Sequence, residues 1–200
     1  MSGDANPGMK RSLLIALRMT VLSLLALGLA YPLLMTGIAR LAFPQASLGS
    51  LVKRGDDVVG SALIGQGFQS DRYFHSRPSA AGDGYDAMAS SASNLAPTSQ
   101  KLVDDVRRRV DAIVSTEVDA IGGDVPVDLV TASGSGLDPD ISPDSALLQA
   151  ERIARVRGLD PEAVRELVRQ HTKERQFGFL GERRVNVLEL NLALDALSSR

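Results

Sequence analysis

Cysteine is absent from the 200 residues, so no disulfide can brace the fold. That absence suits an extracytoplasmic domain and a cytosolic one equally. Only two histidines occur, His75 and His171, nearly a hundred positions apart, and two such residues do not make a metal site; solvated side chains are the expectation. Missing too are a P-loop, any paired zinc-ligand spacing and a Gly-x-Ser-x-Gly elbow between a strand and a helix. Surplus positive charge is lacking beyond residue 40, where 18 lysines and arginines face 23 acidic residues. Nucleic acid is therefore excluded as the expected partner.

What the chain has in abundance is apolar sequence near its start. Residues 19–38, MTVLSLLALGLAYPLLMTGI, hold no charge, and at about 1.5 Å per helical residue they cover the roughly 30 Å hydrocarbon core of a bilayer. A cleaved signal peptide is the alternative. Its apolar core would run for about 7–15 residues before a small-x-small site, whereas this run continues through Tyr31, Leu33, Leu34 and Met35. A single membrane anchor fits better. Pro32 is tolerated inside such a helix and is expected to bend its outer third. Arg18 belongs at the membrane edge, snorkelling to headgroups. Lys10, Arg11 and Arg18 precede the run and Arg40, Lys53 and Arg54 follow it. The near balance favours a cytoplasmic N-terminus only because the leading cluster lies closer.

The expected organisation is a short cytoplasmic tail over residues 1–18, a transmembrane helix over 19–38, a connector over 39–50 and one compact α+β domain over 51–200 outside the bilayer. Residues 58–64 read as a strand turning at Gly65. Residues 70–97 form a long Ser-, Ala- and Gly-rich loop whose Tyr73, Phe74 and Tyr85 imply packing rather than disorder. An amphipathic helix starts after Pro97 and Thr98. Residues 125–133, VPVDLVTAS, read as the clearest strand. Ser142 with Pro143, and Asp160 with Pro161, look like paired N-cap and first-turn devices for two helices, the first stopped by Gly158. The C-terminal VNVLELNLALDAL fits a strand followed by a helix.

Two segments invite a chemical reading. Ser133, Gly134, Ser135 and Gly136, with Asp138 following, form a glycine-rich turn that could gather backbone N–H groups around a phosphate, although most such turns merely connect elements. Ser135 could alternatively be the nucleophile of a membrane-tethered serine hydrolase with a histidine and an aspartate from elsewhere, but Pro139 prevents the immediate helix an elbow requires. The segment YFHSRPS presents Tyr73 and Arg77. The guanidinium fork of Arg77 could clamp a carboxylate or phosphate, or pair with an acidic side chain of the domain itself. Glu182, beside Arg183 and Arg184, suggests an exposed ion pair.

Seven blocks occur in a fixed order: YPLLMTGIARLAFPQ, GSALIGQGF, YFHSRPSA, SNLAP, DLVTASGSGLDPDISP, QAERIARVRGL and LGERRVNVLELNLALD. Together they resemble the C subunit family of Kdp-type potassium-transporting ATPases, from about residue 13 to residue 197. The family pattern has a glycine where SNLAP carries Ala96, and glycines near Ala92, so backbone freedom is not demanded at either position.

The resemblance implies a noncatalytic accessory subunit of a bacterial inner-membrane pump that imports potassium at the expense of ATP. It implies three partners: a hydrolysing P-type subunit, a channel-like potassium-binding subunit and a small membrane subunit. It also implies a catalytic-chaperone role that raises ATP affinity. Members are described as nucleotide-binding, so ATP is a possible ligand although none is expected to be held firmly, and potassium is cargo. The chain itself lacks a DKTGT-type phosphorylation sequence and a filter-like glycine loop. A periplasmic domain would alternatively serve as a cap or gate above the potassium entrance.

Overall fold

A computed structural model describes residues 7–117 and 124–198. The chain divides into two units, Met1–Ser50 and Leu51–Arg200. The first is helical. Helix α1 (Pro7–Ser23) passes through a π-helical stretch, Leu24–Ala30, into α2 (Tyr31–Ala42), and a single turn, α3 (Pro44–Ser47), follows. Residues Gly8–Ala42 make one helix long and apolar enough to cross a membrane, with none of its most apolar stretch buried in protein. It begins before the uncharged run and ends after it, because Leu13, Leu14 and Leu17 continue the apolar surface and the helical backbone runs on to Ala42.

Pro32 has no N–H to give and its ring crowds the preceding turn. The helix answers by widening: the Tyr31 N–H bonds the Ala26 carbonyl, five residues back.

The second unit has the α+β character expected. It opens with a hairpin, β1 (Leu51–Arg54) against β2 (Asp57–Ser61), with a register shift between Val52 and Lys53. Irregular chain fills the stretch to α4 (Gln100–Thr116), an amphipathic helix with no fully buried residue. A one-turn helix α5 (Val127–Val130), strand β3 (Asp140–Ile141), helices α6 (Pro143–Arg157) and α7 (Pro161–His171), strands β4 (Thr172–Lys173) and β5 (Arg184–Asn186), and helix α8 (Val187–Ser198) complete it. The three strands form an antiparallel sheet in the order β3-β5-β4.

Residues 125–133 are not a strand. Leu129 and Val130 bury while Val127 stays 69% exposed, a helical rather than an alternating pattern. The Asp128 carboxylate accepts bonds from the Ser142 N–H (2.7 Å) and from the Ser142 and Ser145 hydroxyls (3.1 and 2.6 Å). This anchorage to the start of α6 outweighs the β propensity of three valines.

The N-cap devices behave as their chemistry requires. Ser142 Oγ accepts from the Ser145 N–H, and the Asp160 carboxylate from the Glu162 N–H. Gly158 ends α6 at φ +66°, the left-handed geometry that favours glycine at this position. The core joins Ile141, Ala146, Ala150, Ile153, Val164, Val168, Val185, Leu190 and Leu194 to Phe74 of the long loop. Alanines on α6 let α7 approach closely, so the helix pair and sheet form one packed body.

Candidate functional site

The long loop is held by side-chain amides from two helices. Asn191 of α8 accepts from the Phe74 N–H (2.8 Å) and donates to the Phe74 carbonyl (3.0 Å). Gln149 of α6 does the same one residue on, accepting from the His75 N–H (2.7 Å) and donating to its carbonyl (3.2 Å). Each carboxamide thus supplies what a neighbouring strand would supply, and Phe74 enters the core with no exposure. Buried Arg152 fixes the preceding turn through the carbonyls of Asp71 and Tyr73, and its Nε pairs with Glu117 at 2.5 Å. Burial pushes the Glu117 carboxyl above its ordinary range, against the opposing pull of Arg152.

His75 is half-buried rather than solvated, and its ring bonds the Ser70 carbonyl at 3.2 Å. Burial, then the Arg152 charge, hold its pKa below the ordinary 6.5.

The loop so positioned meets the glycine-rich turn. Arg77 Nη1 reaches Asp138 Oδ2 at 3.1 Å, and Ser79 Oγ donates to the Gly136 carbonyl at 2.6 Å while accepting the N–H groups of Ala81 and Tyr85. The Ser135 carbonyl takes bonds from the Ser91 N–H and the Ser90 hydroxyl, both at 3.0 Å. Gly136 has φ +68°, and an added Cβ would stand 2.5 Å from the Ser91 carbonyl oxygen and 2.7 Å from the Ala81 nitrogen. The Tyr85 hydroxyl donates to the Arg77 carbonyl.

Within the turn, the Leu137 N–H bonds Ser135 Oγ (3.1 Å), the Asp140 N–H bonds Asp138 Oδ1 (3.0 Å), and the Gly136 N–H bonds the Ser133 carbonyl (3.3 Å). Ser133 and Ser135 face each other at 3.4 Å. The His171 ring bonds the Leu167 carbonyl and the His75 ring the Ser70 carbonyl, so among the described residues neither histidine has Ser135 Oγ as its hydrogen-bond partner.

Set beside known proteins, residues 13–196 match the family model described as KdpC, K+-transporting ATPase, c chain. This chain belongs to the KdpC family. A KdpC subunit of a potassium-transporting ATPase from Gemmatimonas aurantiaca is 58% identical over 186 residues, covering 92% of each chain. One from Koribacter versatilis is 50% identical over 187 residues, 94% of this chain and 95% of the relative. One from Mycobacterium bovis is 51% identical over 189 residues, 94% of this chain and all of the relative.

In this KdpC chain Arg77, Ser133, Gly134, Ser135, Gly136 and Asp138 fall in one knot. Gly134 is exposed, with open space where a Cβ would stand. Tyr73 belongs elsewhere. Its hydroxyl reaches Asp195 at 3.3 Å and its ring lies 4.7 Å from the Arg157 guanidinium. Asp195 also pairs with Arg157 (2.9 Å) and Arg54 (2.5 Å). Burial would raise the Asp195 carboxyl, but these donors hold it below its ordinary value.

Sequence reasoning missed Asn191, Gln149, Ser79 and Asp195. The first had a signal: a lone amide inside the apolar LELNLAL asks for a buried partner. Glu182 pairs with Arg175 (2.5 Å) and Arg183 with Glu174 (2.9 Å), across a hairpin rather than between sequence neighbours.

Proposed function

We propose that this chain is a noncatalytic accessory subunit of an ATP-driven potassium importer in a bacterial inner membrane. Its N-terminus is cytoplasmic, residues 19–38 cross the bilayer once, and the domain from residue 51 is periplasmic. Its partners are the hydrolysing P-type subunit, the channel-like potassium-binding subunit and a small membrane subunit of the same pump. The observation that carries the reading is the family match over residues 13–196, supported by one apolar helix over Gly8–Ala42.

The chain stabilises the complex and raises the ATP affinity of the hydrolysing subunit. From the periplasm that effect has to cross about 30 Å of hydrocarbon. It therefore acts as a coupling free energy between distant sites and is reciprocal: ATP bound on the hydrolysing subunit tightens this chain's hold on the pump. The internal bonding of the glycine-rich turn supports a structural over a nucleotide-cradling role, because the N–H groups of Gly136, Leu137 and Asp140 already have acceptors in the chain. Potassium is cargo of the complex.

A second reading, a cap or gate at the potassium entrance, is favoured by the acidic balance of residues 41–200, 18 basic against 23 acidic. One titration separates the two. ATP hydrolysis by the purified pump, with and without this chain, is measured against ATP and then against potassium. A chaperone lowers the KM for ATP by about 5- to 150-fold, whereas a cap moves the potassium dependence alone. Unchanged values in both would remove the modulatory role.

A further inference from the structure

Strands β4 and β5 are prolonged into a tight turn over residues 175–182, RQFGFLGE. Gln176 and Leu180 exchange N–H to carbonyl bonds, each 2.9 Å, while the Gly178 N–H bonds the Arg175 carbonyl and the Phe179 N–H the Gln176 carbonyl. The tip carries two of the chain's five phenylalanines. Phe177 is 87% exposed, Phe179 71% and Leu180 48%. Phe177 lies at φ +53°, a conformation that a side chain of this size rarely adopts. The stem is braced by the Arg175–Glu182 and Arg183–Glu174 pairs. An apolar prong is thus fixed in shape and costs water contact without any contribution to the domain's core.

We propose that this tip is a hydrophobic anchor that inserts into an apolar pocket on another subunit of the pump, resting on the accessory-subunit reading. Two observations select a protein pocket over a lipid surface. The basic side chains of the stem carry acidic partners, Lys173 with Glu189 and Arg184 with Asp140 as well as the two cross-stem pairs, so little positive potential remains for anionic headgroups. A turn already held in one conformation also loses little freedom on docking, which matters for a shaped cavity and not for fluid lipid.

Area argues against a pairing of two copies of this chain through the tip alone. The exposed faces of Phe177 and Phe179 amount to roughly 300 Å², well short of the roughly 800 Å² per partner that a stable interface needs. The prong is therefore one anchor within a larger contact, the role that buried aromatics play at the centre of interfaces.

The test uses the full-length chain in the assembled pump, in native membranes. With p-benzoylphenylalanine in place of Phe177, irradiation should give an adduct with another pump subunit, identified by mass spectrometry. An adduct with lipid alone, one with a second copy of this chain, or no adduct would each overturn the proposal. In parallel, the F177S/F179S double variant alters only exposed side chains, and its circular dichroism should match wild type. Recovery of the other pump subunits with it should fall about tenfold; recovery equal to wild type would refute the anchor. If the unaltered chain recovers no pump subunit at all, the accessory-subunit reading fails first and takes the anchor with it.

Discussion

Replacing Gly136 by alanine puts the convergence of the long loop and the glycine-rich turn to a quantitative test. Two costs add. Holding a residue with a Cβ at φ +68° costs about 1–2 kcal/mol. The new methyl also stands 2.5 Å from the Ser91 oxygen and 2.7 Å from the Ala81 nitrogen, both main-chain atoms that cannot rotate away, and forced overpacking costs about 1–3 kcal/mol. The sum is about 2–5 kcal/mol. In a domain of this size each kcal/mol lowers the melting temperature by about 2–4 °C, so a loss of at least 4 °C or so is expected.

Gly134→Ala is the matched control. It lies two residues away in the same turn, with no atom within 4 Å of the added Cβ, and should be neutral or slightly stabilising. Thermal unfolding of the full-length chain in detergent, followed by circular dichroism, compares the two. If G136A melts within about 2 °C of G134A, the loop and the turn do not pack as described and the knot is refuted.

Asn191→Ala leaves the buried N–H and carbonyl of Phe74 without partners and should destabilise the domain by about 2–4 kcal/mol, read as a lower urea midpoint. The half-buried Arg77–Asp138 pair should show a coupling of only about 0.5–1 kcal/mol in a double-mutant cycle, and R77A should leave pump assembly and potassium uptake near wild type; a large loss of uptake would return Arg77 to the mechanism. Because burial and Arg152 hold the His75 pKa below 6.5 in the folded chain, the unfolded state binds the proton first. Stability from this residue is therefore complete above about pH 6.5 and declines as pH falls through the window below it. H75Q should flatten that part of the stability profile, and an unchanged profile would exclude His75 as its source. Finally, a cysteine in place of Met88, 95% exposed, should react with a membrane-impermeant maleimide in intact spheroplasts. Labelling only after lysis would put the domain on the ATP side.

How much of this was legible in the sequence depended on how far apart the interacting residues lie. Short-range signals were readable: Ser142 and Asp160 cap the helices they precede, and the apolar run without charge became one continuous helix. The failure at residues 125–133 came from outside the segment, since valine-rich sequence favours strands only while no stronger bond intervenes. There the stronger bonds come from Ser142 and Ser145 to Asp128, 14 and 17 positions on. The site was half legible in the same sense. Residue type marked both YFHSRPS and SGSGLDP as unusual, yet no spacing rule could announce that Arg77 would meet Asp138 or that Ser79 would hold the Gly136 carbonyl. Asn191 and Gln149 pin the backbone of Phe74 and His75 to α8 and α6, and the next residues of the loop lie against the turn. If the pinning is what holds them there, N191A should weaken the Arg77–Asp138 coupling as well as the core. Amide hydrogen exchange would then rise at Ala81 and Tyr85, whose N–H groups are held by Ser79. Loss of protection confined to Phe74 would mean instead that the turn holds the loop on its own, and that the two carboxamides only complete the core.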